Sequence, residues 1–132
     1  MSQAIKEANI TPDEIGYINA HGTATPSNDS SEAHAINQVF GKDSQVQVSS
    51  TKSMTGHLLG AAGAIEAVAT VAALQTGTLP PNIGLTKQDP ECHVNVVTKA
   101  NEKKTDLQYA ISNSFGFGGH NAVLTFKKWG EE

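Results

Sequence analysis

The chain has 132 residues, the length of one compact domain with a modest core. With 38% hydrophobic and 17% charged residues it reads as an ordinary soluble globular protein, and a net charge of −4 with scattered basic residues argues against a nucleic-acid partner. The single cysteine, Cys92, excludes an internal disulfide and fits a reducing, cytoplasmic setting, and Ser2 to Asn9 hold no apolar run of the signal-peptide kind.

Ala4, Ile5 and Ala8 fall at helical spacing, so the opening residues read as the end of a helix. Thr11-Pro12-Asp13-Glu14 has the pattern of a one-turn helix start, with Thr as cap, Pro in the first position and Glu returning the cap. Ile15 to Asn19 reads as a short buried strand leading to His21. Asp29 and Glu32 are read as a second capping box opening a helix whose apolar face is Ala33, Ile36, Val39 and Phe40, closed by Gly41. Val46 to Thr51 alternates and is rich in β-branched residues, which predicts a strand running into Lys52 and His57.

Leu58 to Gln75 is apolar all round, the mark of a helix buried on most sides. Glu66 and two glycines interrupt its Leu58–Leu74 part, so no membrane span is expected. Gly60 and Gly63 each cost a helix about 1 kcal/mol against alanine, which predicts a second backbone packed close to them. Gly77 closes this helix, and Leu79-Pro80-Pro81-Asn82 is an extended loop. Val94 to Val97 is a candidate short strand. Tyr109–Ser114 and Ala122–Phe126 are strands joined by the Gly-rich segment Phe115–Asn121 into a hairpin. The order is α/β with at least one parallel crossover.

His34, mid-helix, and His93, in a loop, carry the ordinary reading of surface or structural histidines, and no Cys/His spacing suggests a metal site. His21 and His57 differ in context. Each follows a predicted strand and precedes a helix, and the ends of adjacent parallel strands would bring both imidazoles into one crevice. Gly22, Gly56 and Gly60 would let a ligand approach the backbone. Thr23 and Thr25 offer hydroxyls on alternate positions of an extended segment, suited to the amides of a linear ligand. Lys52 either fixes charge near the site, pairing with Asp29 or Glu32, or is a solvated loop lysine. In Asn113-Ser114-Phe115-Gly116-Phe117-Gly118-Gly119 the glycines either aim backbone N–H groups at an anion or form a plain hairpin turn.

Three segments together resemble the β-ketoacyl-acyl-carrier-protein synthases, most closely the elongating type (synthase II): His21-Gly22-Thr23-Ala24-Thr25-Pro26-Ser27-Asn28-Asp29, Lys52 through Gly63, and Asn113 through Gly119. The likeness runs from about Ser2 to Trp129. It implies the thiolase-like fold, in which two similar halves each carry a five-stranded mixed β-sheet with helices on both faces. Residues 1–132 would be a partial C-terminal half, lacking the first strand, which the resemblance places centrally between the strands at Tyr17 and Ile111. The implied reaction is a decarboxylative Claisen condensation between an acyl group on a cysteine and a malonyl group on acyl carrier protein.

In that reading His21 and His57 donate to the malonyl thioester oxygen, and Lys52 orients the site with Glu66 or Glu32 nearby. Asp29, Glu32 and Glu66 give structural support. Thr23 and Thr25 hold the phosphopantetheine arm, which arrives on the carrier protein, so no resident cofactor is implied. Phe117 gates the acyl pocket and lends its N–H to an oxyanion hole, with Phe115 and Gly118 beside it. The implied partners are acyl carrier protein, the N-terminal half and a second copy as a homodimer. Cys92 does not match the nucleophile, so the chain alone is expected to be inactive, and an unpaired mid-sheet edge would make it poorly autonomous. The alternatives are a non-condensing chain-length or decarboxylating subunit, opposed by the presence of both histidines, and a polyketide ketosynthase domain, opposed by Ala24 where glycine is usual. A thiolase would need a cysteine in the C-terminal glycine-rich loop.

Overall fold

The computed structural model describes residues 1–99 and 107–130. In chain order the elements are α1 (Ser2–Glu7), β1 (Ile15–Asn19), α2 (Pro26–Phe40), β2 (Gln47–Ser49), α3 (Lys52–Thr55), α4 (Ala62–Thr76), β3 (Asn95–Val96), β4 (Tyr109–Phe115) and β5 (Asn121–Lys127). Single 3-10 turns lie at Pro12–Glu14, Leu59–Ala61 and Phe117–Gly119. The strands form one five-stranded mixed sheet in the order β3-β2-β1-β4-β5. β1 pairs in parallel with β2 and β4, β2 in parallel with β3, and the β4–β5 hairpin is antiparallel.

The direct pairing of β1 with β4, Ile18 opposite Ile111 and Asn19 opposite Ser112, overturns the expected gap at mid-sheet. No strand is missing between them, because the β1 residues hydrogen-bond β4 on one side and β2 on the other. The register of β1 against β4 slips between Ile15 and Tyr17. Gly16 sits at that slip because a Cβ there would lie 2.4 Å from Leu107 Cδ2.

Period-two alternation splits the sheet residues between two cores. On one face Ile15, Ile18, Val48 and Ile111 pack with Ile5 of α1 and Ile36 and Phe40 of α2. On the other, Tyr17 and Ala110 pack with Ala73 and Leu74 of α4 and with Leu79. Helices therefore cover both faces, as expected. The Thr11 N–H donates to the Glu14 carboxylate at 2.8 Å, completing the predicted return cap.

Helix α4 departs from expectation. Its buried positions are Ala62, Glu66, Thr70, Ala73 and Leu74, while Ile65, Val68 and Val71 are exposed. A helix that is apolar all round has two faces to bury, and the sheet accepts one. The stretch Leu59–Thr76 reaches a mean hydropathy of 1.3, and Ala73 and Leu74 pack its inner face against Tyr17 and Ala110 of the sheet. The second backbone expected beside Gly60 and Gly63 is not there: the nearest group to a Cβ on Gly63 is a side chain, Ser114 Oγ at 3.4 Å, and Gly60 has open space around it.

An outward row of Ile65, Val68 and Val71 is a contiguous apolar patch of the kind that drives association. The purified 132-residue chain is expected to sediment as oligomers, and Val68→Glu with Val71→Glu to shift it to monomer without lowering its melting temperature. Monomeric wild-type chain at micromolar concentration would contradict this.

Candidate active site

The parallel pairing of β1 and β2 sets the ends of both strands side by side, with Asn19 opposite Ser49. His21 lies two residues beyond the end of β1. The chain beyond β2 turns at once into α3, which begins with Lys52, and His57 follows α3 across Gly56. The two imidazoles meet edge to face, their ring centroids 5.5 Å apart, and Phe115 at the end of β4 lies 5.8 Å from His21. The crevice expected at adjacent strand ends therefore brings His21, His57, Lys52 and Phe115 together.

Glu32 shapes the His21 loop. Its buried carboxylate accepts the N–H groups of His21 and Gly22, each at 2.9 Å, and the side-chain amide of Asn113 at 3.0 Å. This replaces the expected capping box at Asp29 and Glu32. Helix α2 starts earlier, with Thr25 as cap and Pro26 in the first turn, so Glu32 lies in the second turn facing inward. The Asp29 N–H closes that first turn on the Thr25 carbonyl at 3.0 Å, and the Asp29 carboxylate accepts from the Asn28 side chain at 3.1 Å. Gly22 has φ +37°, and a Cβ there would lie 2.5 Å from Ser50 Cβ, so no other residue fits. Ala24, at φ +60°, adopts the same unfavoured half of backbone space without that excuse.

Lys52 is buried and forms an ion pair with Glu66, reaching inward from α4. The expectation that Lys52 would pair with Asp29 or Glu32 fails, because Glu32 is already engaged by backbone donors, and the partner is Glu66, one of the two neighbours the family resemblance implied. The Lys52 ammonium also lies 3.5 Å from His21 Nδ1. Burial, and then this neighbouring positive charge, hold the His21 imidazole below its usual value of 6.5. An ammonium can only donate, so Nδ1 of neutral His21 is the acceptor and Nε2 carries the proton. The same logic applies at His57, whose Nδ1 accepts the Leu59 N–H at 3.1 Å. Leu59 takes φ +51° to present that N–H. Both histidines thus offer Nε2–H as a donor.

Supporting residues missed in the sequence complete the frame. Asn19, fully buried, donates to the Glu66 carbonyl at 3.3 Å and accepts from the Thr51 N–H at 3.4 Å, binding the end of β1 to α4 and to the start of α3. A cleft of about 630 Å³ opens beside the site, lined by Gly22, Thr23, Lys52 and His57 and, across from them, by Asn82 and Leu85. The hydroxyl of Thr23, which lines the cleft, bonds that of Thr25 at 2.9 Å. Phe117 is fully exposed on its turn, and Gly118 has φ +79°. Cys92 lines the cleft, but burial and then Asp89, Asp29 and Glu91 push its thiol up, which suits no nucleophile.

The family described as beta-ketoacyl synthase, C-terminal domain, matches residues 1–86. The 3-oxoacyl-[acyl-carrier-protein] synthase 2 of Synechocystis sp. is 51% identical over 127 residues, which are 96% of this chain and 30% of that protein. The structure of the ishigamide ketosynthase/chain length factor superposes with TM-score 0.92 at 38% identity, covering 98% of this chain and 32% of the other. A chain from the complex of a type II polyketide synthase acyl-carrier protein with its hexaketide-bound ketosynthase superposes with TM-score 0.91 at 34% identity, covering 98% of this chain and 32% of the other. The chain thus spans about a third of the length of these relatives. The family model that matches residues 1–86 and the superposition on ketosynthases agree: the chain belongs to the β-ketoacyl synthases and corresponds to their C-terminal domain.

Proposed function

We propose that this chain supplies the two-histidine portion of the active site of an elongating β-ketoacyl-acyl-carrier-protein synthase. The observation that carries this reading is the matched state of His21 and His57. Each has Nδ1 occupied as an acceptor, by Lys52 and by the Leu59 N–H, and each is left with an Nε2–H to donate.

That arrangement suits decarboxylation of a malonyl thioester. The bond between the α-carbon and the carboxylate breaks, carbon dioxide leaves, and the electron pair moves into an enolate whose charge settles on the thioester oxygen. Two neighbouring Nε2–H donors, their rings 5.5 Å apart, are suited to hold that charge, and removing one such donor typically costs about 3–4 kcal/mol. The enolate carbon then attacks an acyl thioester on a cysteine outside this chain, forming the new carbon–carbon bond and expelling the cysteine thiolate.

In this reading Lys52, buried against Glu66, keeps His21 neutral and in the correct tautomer. Thr23, lining the cleft, and Thr25, bonded to it, bind the phosphopantetheine arm of acyl carrier protein. Phe117 gates the acyl group, and its N–H, with Phe115 and Gly118 alongside, completes an oxyanion site. The exposed row on α4 packs against the N-terminal half, the complete enzyme is a cytoplasmic homodimer, and the cofactor arm comes and goes with its carrier.

The purified 132-residue chain alone is expected to give no β-ketoacyl product from acyl and malonyl thioesters. In the complete enzyme that carries this chain, His57→Ala is expected to lower the decarboxylation rate by about 10²–10³-fold. An unchanged rate in that variant would sink the reading.

The lowered pKa of His21 fixes a pH dependence. Its unfolded value lies near 6.5 and its folded value below that, so in between the unfolded chain binds more protons. The contribution of neutral His21 is therefore present above pH 6.5 and lost as the pH falls through the folded value. ¹⁵N NMR of the imidazoles is expected to show the Nε2–H tautomer of His21 at pH 7 and a midpoint below 6.5. A midpoint above 6.5 would contradict the placement of Lys52.

A further inference from the structure

Ser50 has no part in the chemistry just described, yet it touches both walls of the cleft. Its hydroxyl donates to the Gly22 carbonyl at 2.9 Å, on the side that carries Thr23. Its N–H donates to Asn82 Oδ1 at 3.0 Å, on the opposite side. The segment around Asn82 is pinned at neighbouring points as well. Ser49 Oγ donates to the Pro80 carbonyl at 2.6 Å, the Ile83 N–H donates to Ser53 Oγ at 3.1 Å, and the Asn82 N–H donates to the Val97 carbonyl at 2.6 Å. Buried Tyr17 donates to Ser49 Oγ at 2.9 Å from the strand that leads to His21. The absence of a side chain at Gly22 is what lets its loop close on Ser50.

We propose that Ser50 is a positioning residue that sets the width of the cleft beside the two histidines by holding both walls at once, and so sets how tightly the pantetheine-type arm of the thioester is gripped. This rests on the function proposed above. A linear ligand with amides along its length is bound between walls at a fixed separation, and the carbonyl of Gly22 is the anchor of the wall that carries the threonine hydroxyls. Ser50→Ala keeps the N–H bond to Asn82 and removes the hydroxyl bond, releasing one wall alone. Asn82→Ala removes the acceptor and loosens the other, which stays attached through Pro80, Ile83 and the backbone N–H of residue 82.

The test is steady-state decarboxylation of malonyl-pantetheine by the complete enzyme that carries this chain, in wild type, Ser50→Ala, Asn82→Ala and a remote control, Ser44→Ala. Ser44 Oγ accepts the Val46 N–H at the far end of β2. Ser50→Ala and Asn82→Ala are each expected to raise KM about five- to tenfold with kcat within twofold of wild type, and Ser44→Ala to change neither. Hydrogen exchange is expected to show faster exchange at Thr23 and Ala24 in Ser50→Ala and at Asn82 and Ile83 in Asn82→Ala. Equal falls in kcat for both variants with KM unchanged, or an unmoved KM beside an active wild type, would overturn the role given to Ser50. A wild-type enzyme that does not decarboxylate the thioester would instead overturn the function itself.

Discussion

The Glu32 carboxylate is the constraint on which the rest of the site depends. A buried carboxylate is costly unless its oxygens are met by donors. Here the donors are the backbone N–H groups of His21 and Gly22 and the amide of Asn113. Those partners come from the loop after β1 and from β4, while Glu32 itself comes from α2. One carboxylate thus fixes the entry of α2, the path of the His21 loop and its separation from the hairpin strand. Because it holds the backbone rather than the imidazole, the ring stays free to be tuned by other groups.

That tuning comes from the other face of the sheet. Glu66 reaches in from α4 to Lys52, and Lys52 in turn faces His21 Nδ1. The histidine therefore sits between an ammonium that disfavours its charged form and, farther off, carboxylates that favour it. Burial and the ammonium dominate, and the ring stays neutral. Asn19 braces this system by bonding the backbone of α4 at Glu66 and of α3 at Thr51, so the ion pair is held by structure from three elements.

Much of this was legible in the sequence where local chemistry decides structure. β1, the Thr11–Glu14 turn, the Gly41 and Gly77 helix ends and the β4–β5 hairpin followed from alternation, caps and glycines. So did the meeting of His21 with His57, because both follow neighbouring parallel strands. What was not legible depends on long-range partners. Asp29 and Glu32 fit a capping box as well as an inward anchor, and only Thr25-Pro26, starting the helix earlier, decides between them. Glu66 lies 14 residues from Lys52, and nothing local marks it as the counter-charge; only the family resemblance brought it in, as an alternative to Glu32. The expected gap beside β1 came from the family resemblance, and the actual β1–β4 register contradicts it. The all-round apolarity of α4 could not show which of its faces the sheet would take.

Helix α4 carries Glu66 on one side and Val68 and Val71 on the other. It is a rigid beam with chemistry along its inner edge and a hydrophobic seat along its outer one. Val68 lies two residues from Glu66, so whatever packs on it bears, through less than one turn of helix, on the counter-ion of Lys52. A substitution in that covering surface, far from any reacting atom, would then act like a lesion of the histidine pair.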